Sequence, residues 1–570
     1  MMKIFLTLSL SILTLGINPS AHAYFQSTSS PALLTEDVSI RPILELPSSP
    51  TRISYNKADG NLYMIRQNGV LSFIDIDAGT NTYQQGSGDH GLGDVQGMDI
   101  SDEGEIYLVG NSRNNGDFTN TAVIMKGVNT DGSWTWTKVA ETEPYPLSNT
   151  AFDHIANAIV ISPDQSTLYI NSGSRTDHGE VHDVDGRYPG LREAPLTAKI
   201  LKVPADASGL VLENDIEFLR SNGYIHAEGT RNSFTLAFDA EGNLFGGENA
   251  GDRDDPEELN WLREGEHYGF PWVIGGNETP MQFDGYDWEN DPFVDPNSTA
   301  ANGGFFYNDP DYPAPPEGVT FASAVVNTGP DVDNYRDAAD GQIKDASDQD
   351  TVLTTFVSHL SPSGLVFDVD GNMGGEYKGD AFIMGFSSTT GGAFLIDRMD
   401  YIGGNLIHLE LTKNESGDNY EVQVKNLIQG FLNPIDAEII GNKIYVLEFG
   451  NDSWLNANRT TQLYEVTFPG MSTSAEETES IATDFRLSQN YPNPFNPTTN
   501  IPFVLKSPGF VEIEVSNTLG KQVASLVNRS MSASAHETTF DALNLPSGVY
   551  FYTLKVDGVI TQTKKMLLLK

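Results

Sequence analysis

The sequence predicts an all-β chain: a six-bladed β-propeller followed by a small Ig-like β-sandwich. Three observations predict it. A short turn-and-strand phrase recurs six times between residues 59 and 445. The 570 residues include 54 Gly and 30 Pro but no Cys, a turn-rich composition with common aromatics that favours packed strands over disorder. A polar stretch at 469–484, without apolar periodicity, reads as a linker and sets apart a last segment, 485–570, with its own strand pattern.

At the N-terminus, Lys3 precedes the apolar run from Ile4 to Ile17, and Ala21-His22-Ala23 is a small-x-small cleavage site, so residues 1–23 read as a signal peptide. A membrane anchor is the other reading, but the run is shorter than the ~20 apolar residues a spanning helix needs. No later stretch reads as a transmembrane segment.

Residues 31–468 read as one β-rich unit. The recurring phrase is Asp59-Gly60-Asn61-Leu62-Tyr63, then Asp102-Glu103-Gly104-Glu105-Ile106-Tyr107, then Pro163-Asp164 leading to Leu168-Tyr169. It returns as Asp239-Ala240-Glu241-Gly242-Asn243-Leu244-Phe245, weakly as Asp368-Val369-Asp370-Gly371-Asn372, and last as Gly441-Asn442-Lys443-Ile444-Tyr445. Asp-Gly and Gly-Asn tolerate the positive φ of hairpin turns, and an alternating aliphatic and aromatic strand follows. Six copies imply six blades, although a β-sandwich array or two smaller β-domains would use similar strands. The widest gap holds the Pro/Asp/Asn-rich stretch 276–350, read as loops inserted on one face. In the last segment, strands are expected at 501–505, 511–516, 537–540, 548–556 and 559–569.

Lys and Arg number 33 against 78 Asp and Glu, a net charge of −45. Such a chain repels phosphate backbones and anionic lipid, which argues against nucleic acid as a partner. The charge reads as a hydrated surface, or in part as carboxylates gathered on calcium. The lack of cysteine excludes disulfides, thiol chemistry and Cys-based metal sites. No Gly-x-Ser-x-Gly, His-Glu-x-x-His or phosphate loop stands out, so serine hydrolase, zinc protease and nucleotide chemistry find no support.

The last segment opens with Leu487-Ser488-Gln489-Asn490-Tyr491-Pro492-Asn493-Pro494-Phe495-Asn496-Pro497-Thr498-Thr499 and carries Leu519-Gly520-Lys521 and Leu545-Pro546-Ser547-Gly548-Val549-Tyr550. It resembles the type IX secretion C-terminal sorting domain. The resemblance implies handling by the outer-membrane secretion machinery, and a secreted or cell-surface protein exported through the periplasm. Read unaided, the prolines favour an edge or turn, as would suit a generic adhesive Ig-like module.

In the β-rich unit, Arg231-Asn232-Ser233-Phe234 leads through Gly247-Glu248-Asn249, Asp252, Asp254, Asp255, Glu257 and Glu258 to His267-Tyr268-Gly269-Phe270-Pro271-Trp272. With His154 upstream and Lys199-Ile200-Leu201 between, this order resembles the soluble quinoprotein glucose/sorbosone dehydrogenase family. The resemblance implies a six-bladed propeller holding pyrroloquinoline quinone and Ca2+, and hydride transfer from a sugar or related small alcohol. His154 would be the general base, with Arg231 and Asn232 contacting the cofactor. A neutral imidazole accepts a proton near pH 7 and a guanidinium gives directed bonds to planar oxygens, so the residue types suit those roles. Glu248, Asp252, Asp254, Asp255, Glu257 and Glu258 form an oxygen-rich cluster of the kind a hard cation takes.

Four positions depart from the pattern: Ser172-Gly173-Ser174 lacks the carboxylate that orients the base, Asn433-Pro434-Ile435-Asp436 replaces arginines, Gly385-Phe386-Ser387 lacks a lysine, and Gly88-Asp89-His90 replaces a Gln-containing turn. Beside the enzyme reading stand a structural His154, an Arg231 that clamps a blade turn, solvated loop charge, and a transition-metal site at His90, His178 and His182. The missing arginines and lysine point to a second function, a non-catalytic surface propeller that binds glycan or protein.

Overall fold

The protein is described from a computed structural model covering residues 31–387, 395–450, 460–470, 485–490, 492–518, 520–531 and 535–570. The signal-peptide expectation at 1–23 and nearly all of the linker fall outside those residues. The chain divides into two compact units, Met1–Met471 and Ser472–Lys570.

Unit one is a ring of six antiparallel sheets. Blade one is Pro50–Asn56, Asn61–Arg66, Leu71–Asp75 and Thr80–Gln85. Blade two is Val95–Ile100, Ile106–Asn114, Thr119–Thr130 and Ser133–Thr142; blade three is Ala156–Ile161, Thr167–Ser172, Lys199–Pro204 and Ile225–Glu228. Blade four keeps three strands, Ser233–Phe238, Leu244–Glu248 and Glu258–Leu262. Blade five is Pro362–Phe367, Ala381–Gly385, Asn405–Lys413 and Tyr420–Gln429, and blade six is Pro434–Ile440, Lys443–Glu448 and Thr461–Thr467. Ser39–Leu46 pairs with Thr461–Thr467 as the outer strand of blade six, so the two ends of the unit close the ring. Each recurring phrase of the sequence falls at the turn between the first and second strands of a blade.

The first strand of each blade lies beside the first strand of the next, and the sixth returns to the first. These strands are buried along almost their whole length, as in Pro50–Asn56 and Ala156–Ile161, because neighbouring blades cover both faces. Neighbouring blades do not pair as one sheet, so side chains take up their inner polar groups. Asp436 accepts from the Ile53 amide at 2.9 Å, Asp99 from Ile161 at 2.7 Å, and the Thr235 hydroxyl from Leu365 at 2.8 Å. The Thr51 and Ser363 hydroxyls donate to Val95 O and Pro434 O at 3.0 and 2.9 Å. Unpaired buried amides and carbonyls are costly, so these contacts replace a ladder.

The inserted stretch contains the hairpin Asn334–Arg336 with Ile343–Asp345, and the strand Val326–Pro330, which pairs parallel to the outer strand of blade five.

Unit two is a two-sheet sandwich. Gln522–Met531, Gly509–Asn517, Gly548–Val556 and Val559–Leu568 form one sheet; Arg486–Leu487, Thr498–Val504 and Ala535–Asp541 form the other. Ile501, Phe503, Ile513, Tyr552 and Leu554 pack between them. The strand Gln522–Met531 was not among those expected. The proline-rich opening folds onto this core: the Asn490 amide donates to the Tyr552 hydroxyl, its side chain donates to Thr499 Oγ1 at 3.0 Å, and Phe495 is buried.

Candidate active site

His154 stands just before the first strand of blade three, Arg231 and Asn232 just before that of blade four, and Ser174 just after the second strand of blade three. They therefore share the end of the ring at which the inner strands begin. Backbone bonds fix them: the His154 amide donates to Ser174 O at 3.0 Å, and the Ser174 amide to Arg231 O at 2.7 Å. Gly173 permits the approach, since a Cβ there would lie 2.5 Å from His154 Cβ and 3.0 Å from Asn232 Oδ1. Behind them runs a buried asparagine network. Asn157 and Asn171 donate to Asn232 Oδ1 at 2.7 and 3.2 Å, Asn157 also holds His154 O, and Asn232 donates to Asn249 Oδ1 at 3.1 Å.

The His154 Nδ1 lies 3.3 Å from Ser174 O. A carbonyl only accepts, so Nδ1 carries the hydrogen and Nε2 the lone pair. Burial, and next the Arg231 charge, push the imidazole pKa down to about 3, which keeps the ring neutral. Arg231 is 3% exposed. Its Nε donates to Asp177 O at 2.7 Å, one terminal nitrogen to Asn249 O at 3.1 Å and the other to Asp177 Oδ1 at 3.0 Å.

Asp177 is the residue that sequence reasoning missed. It is fully buried and also accepts from His178 Nδ1 at 2.8 Å and the Asp252 amide at 3.0 Å. Burial raises its pKa, but the His178 bond and the Arg231 charge outweigh that and hold it at about 2. It also acts electrostatically on His154. Asp177 lies three residues after Ser174 in a Gly/Asp-rich loop, and it holds Arg231 rather than the His154 ring, whose Nδ1 is on Ser174.

The six carboxylates expected as an oxygen-rich cluster are engaged with separate partners. Asp254 is spent on His359 at 2.8 Å, Arg398 at 3.0 Å and Arg336. Asp255 takes Arg253 and Asn277, Asp252 the Ala300 amide at 2.7 Å, and Glu257 the Ser361 amide. Glu248 accepts from the Arg231 amide at 2.7 Å and pairs across the strand with Glu258, which accepts from Asn260 at 3.0 Å. Burial, then the Glu258 charge, push Glu248 up to about 8; burial pushes Glu258 up to about 7. Among the described residues no three Asp, Glu or His are placed to hold a metal ion. Asp252, Asp254, Asp255 and Glu257 sit in the loop between Leu244–Glu248 and Glu258–Leu262 and take different partners, while Glu248 and Glu258 lie opposite each other across the two strands.

His90, His178 and His182 do not meet on a metal either. His90, at the end of the short helix Ser87–His90, holds the blade-one turn through Gly69 O at 2.8 Å and accepts from the Leu92 amide at 3.2 Å. His178 and His182 flank the buried Glu180, stacked on Phe306 and edge-on to Phe305. Of the departing positions, Asn433 donates to Phe386 O at 3.0 Å, and Asp436 secures the blade-one amide described above. Arg52, on the first strand of blade one, reaches across the axis to Asn157 O at 2.8 Å and Phe234 O at 2.6 Å. At the other end the channel opens as a cavity of about 520 Å³ between the blade turns.

Residues 46–328 match the family described as Glucose / Sorbosone dehydrogenase, and residues 489–569 match the Secretion system C-terminal sorting domain. No curated protein matches the chain. Among solved structures, the chain is similar to a PQQ-bound aldose sugar dehydrogenase from Streptomyces coelicolor, at 14% identity and TM-score 0.42, with 77% of this chain and all of that one covered. It is similar to the soluble aldose sugar dehydrogenase of Escherichia coli in its apo form, at 14% identity and TM-score 0.46, covering 75% and 99%. It is also similar to the PQQ domain of a pyranose dehydrogenase from Coprinopsis cinerea, at 15% identity and TM-score 0.44, covering 78% and 98%.

Proposed function

We propose, from a chain that carries a glucose/sorbosone dehydrogenase domain ahead of a secretion-system C-terminal sorting domain, that the propeller is an exported oxidoreductase acting on a sugar or related alcohol, with His154 as proton acceptor. The sorting domain indicates export to the medium or the cell surface. The observation that carries the catalytic reading is the meeting of His154, Arg231, Asn232 and Asp177 at one mouth of the ring.

The donors there fit the ring oxygens of pyrroloquinoline quinone. Arg231 uses three of its five N–H groups, leaving one on each terminal nitrogen, and Asn249 Nδ2 is a buried donor without a partner. Bound there, the quinone would supply the hydride acceptor. His154, with Nδ1 held by Ser174 O, presents the Nε2 lone pair to the substrate hydroxyl and takes its proton. Asp177 fixes the Arg231 guanidinium and places a negative charge near the imidazolium that forms. For Ca2+ the 248–258 acids do not fit, since each is already satisfied inside the protein, and no step is assigned to the ion.

The test is dye-linked oxidation of aldoses and alcohols by purified protein with added quinone. Activity is expected, with a fall of about 10²–10⁴-fold in His154→Ala. Absence of both quinone binding and oxidation would overturn the reading. In its place would stand a non-catalytic surface propeller that binds glycan or protein. That second reading is favoured by the burial of Arg231 and by the guanidiniums of Arg253, Arg336 and Arg398, all spent on protein carboxylates rather than left for an acidic cofactor.

A further inference from the structure

The two outer strands of blade three, Lys199–Pro204 and Ile225–Glu228, border a cleft of about 760 Å³ with segments 265–272 and 316–320. That volume lies within the roughly 300–1,000 Å³ of ligand sites. Neither His154 nor Arg231 lines it.

One wall is aromatic. His267 and Trp272 line the cleft, and Phe321 backs them. Trp272 stacks on Phe321 with centroids 5.9 Å apart and planes at 12°, and His267 lies 5.7 Å from Trp272. All three rings are half-buried. The indole is held in place because its N–H donates to Pro313 O at 2.7 Å. Gly229 makes room for the imidazole: a Cβ there would lie 2.2 Å from the His267 ring.

The adjoining segment, bridged to His267 through Glu228, carries donors and acceptors. Lys199 is 8% exposed; its ammonium donates to Thr197 O at 3.0 Å and lies 4.0 Å from Glu228. Arg220 pairs with both carboxylate oxygens of Glu228 at 3.0 and 3.1 Å. His226, 7% exposed, donates through Nε2 to Leu262 O at 3.0 Å, and its Nδ1 is a buried acceptor without a partner.

A fixed aromatic face beside paired charged groups is complementary to a pyranose ring, which is apolar on its C–H faces and polar at its rim. We propose that this cleft binds a neutral polysaccharide chain, with a sugar ring against Trp272 and hydroxyls on Lys199, Arg220 and Glu228. A neutral chain fits better than a polyuronate because Glu193, Glu228 and Glu266 line the cleft and the whole chain carries −45. The cleft does not include His154, so it does not rest on the oxidation proposed there.

Affinity electrophoresis tests this. The full chain is run through native gels containing a soluble neutral β-glucan, a soluble neutral α-glucan, or a polyuronate. Retardation by a neutral glucan is expected, weakened about tenfold in Trp272→Ala, largely restored in Trp272→Tyr, and unchanged in His154→Ala. Glu228→Gln removes an acceptor and is expected to weaken binding, which keeps the test open if Trp272→Ala does not fold. No retardation by either neutral glucan, retardation by polyuronate alone, or undiminished retardation in both Trp272→Ala and Glu228→Gln overturns the proposal. Loss of oxidation with retention of retardation would reject only the catalytic reading.

Discussion

Gly173 and Asp177 show how much of the candidate site rests on single residues outside the expected set. The Cβ of Gly173→Ala would lie 2.5 Å from His154 Cβ, a distance that forces the imidazole segment away from Ser174. Overpacking of this kind costs about 1–3 kcal/mol, so thermal unfolding of Gly173→Ala is expected at a lower temperature. An unchanged Tm would mean the segment yields freely. Asp177→Asn keeps the shape but leaves the Arg231 guanidinium buried without its counter-charge. Removing one partner of a buried pair costs about 3–5 kcal/mol, and urea unfolding is expected to show a loss of that order; a change under about 0.5 kcal/mol would show the pair to be dispensable. For His154, a pKa near 3 means the neutral ring persists through mildly acid conditions. The acid limb of the kcat/KM profile is therefore expected well below pH 6.5. A limb at pH 6–7 would show the ring to be better solvated than its contacts imply.

At the level of the element, the inner strands depend on side chains for the bonds that a continuous sheet would otherwise give them. Asp436 is the clearest case: it is 8% exposed, accepts from the Ile53 amide, and is pushed up to about 6 by burial, with the Arg52 charge opposing. A carboxyl whose folded pKa lies above its unfolded value of 3.8 contributes stability that is full below 3.8 and lost as pH rises through about 6. Asp436→Asn keeps an oxygen acceptor for the amide and removes the titration. The stability of the natural protein relative to this variant is therefore expected to fall between pH 4 and pH 7, as read by denaturant midpoints across that range. A constant difference would mean the carboxyl titrates alike folded and unfolded.

For the whole molecule, ring closure is the decisive feature of unit one. Ser39–Leu46 covers the outer edge of Thr461–Thr467 in blade six. Deleting residues 31–46 is expected to lower Tm and broaden the transition, because an open ring exposes a strand edge and lets blades unfold separately. Chelation carries a separate expectation. With the 248–258 acids satisfied by internal donors, EDTA is expected to leave Tm unchanged; a fall reversed by Ca2+ would reveal a cation site built from other residues.

Much of this architecture was legible because it repeats locally. The turn before Leu62-Tyr63 and its later counterparts needs Gly, Asn or Asp for its backbone, and the strand after it needs apolar alternation, so six blades could be counted from the chain. The tail likewise carries a sequence of local motifs, although Leu519-Gly520-Lys521 and Val523 mark only the start of the strand Gln522–Met531. His154, Arg231 and Asn232, singled out from the sequence, each lie just before an inner strand. What the sequence could not decide was partnership. Asp177 and Arg231 lie 54 residues apart yet are bonded. Asp254 meets His359, Arg336 and Arg398 across the inserted stretch. Adjacent acids in the chain therefore scatter to different donors, while distant ones converge. Turn and strand preferences act over a few residues and are written in the residue types themselves. Which carboxylate neutralises which cation depends on how six blades close around one axis, and only the tertiary structure fixes that.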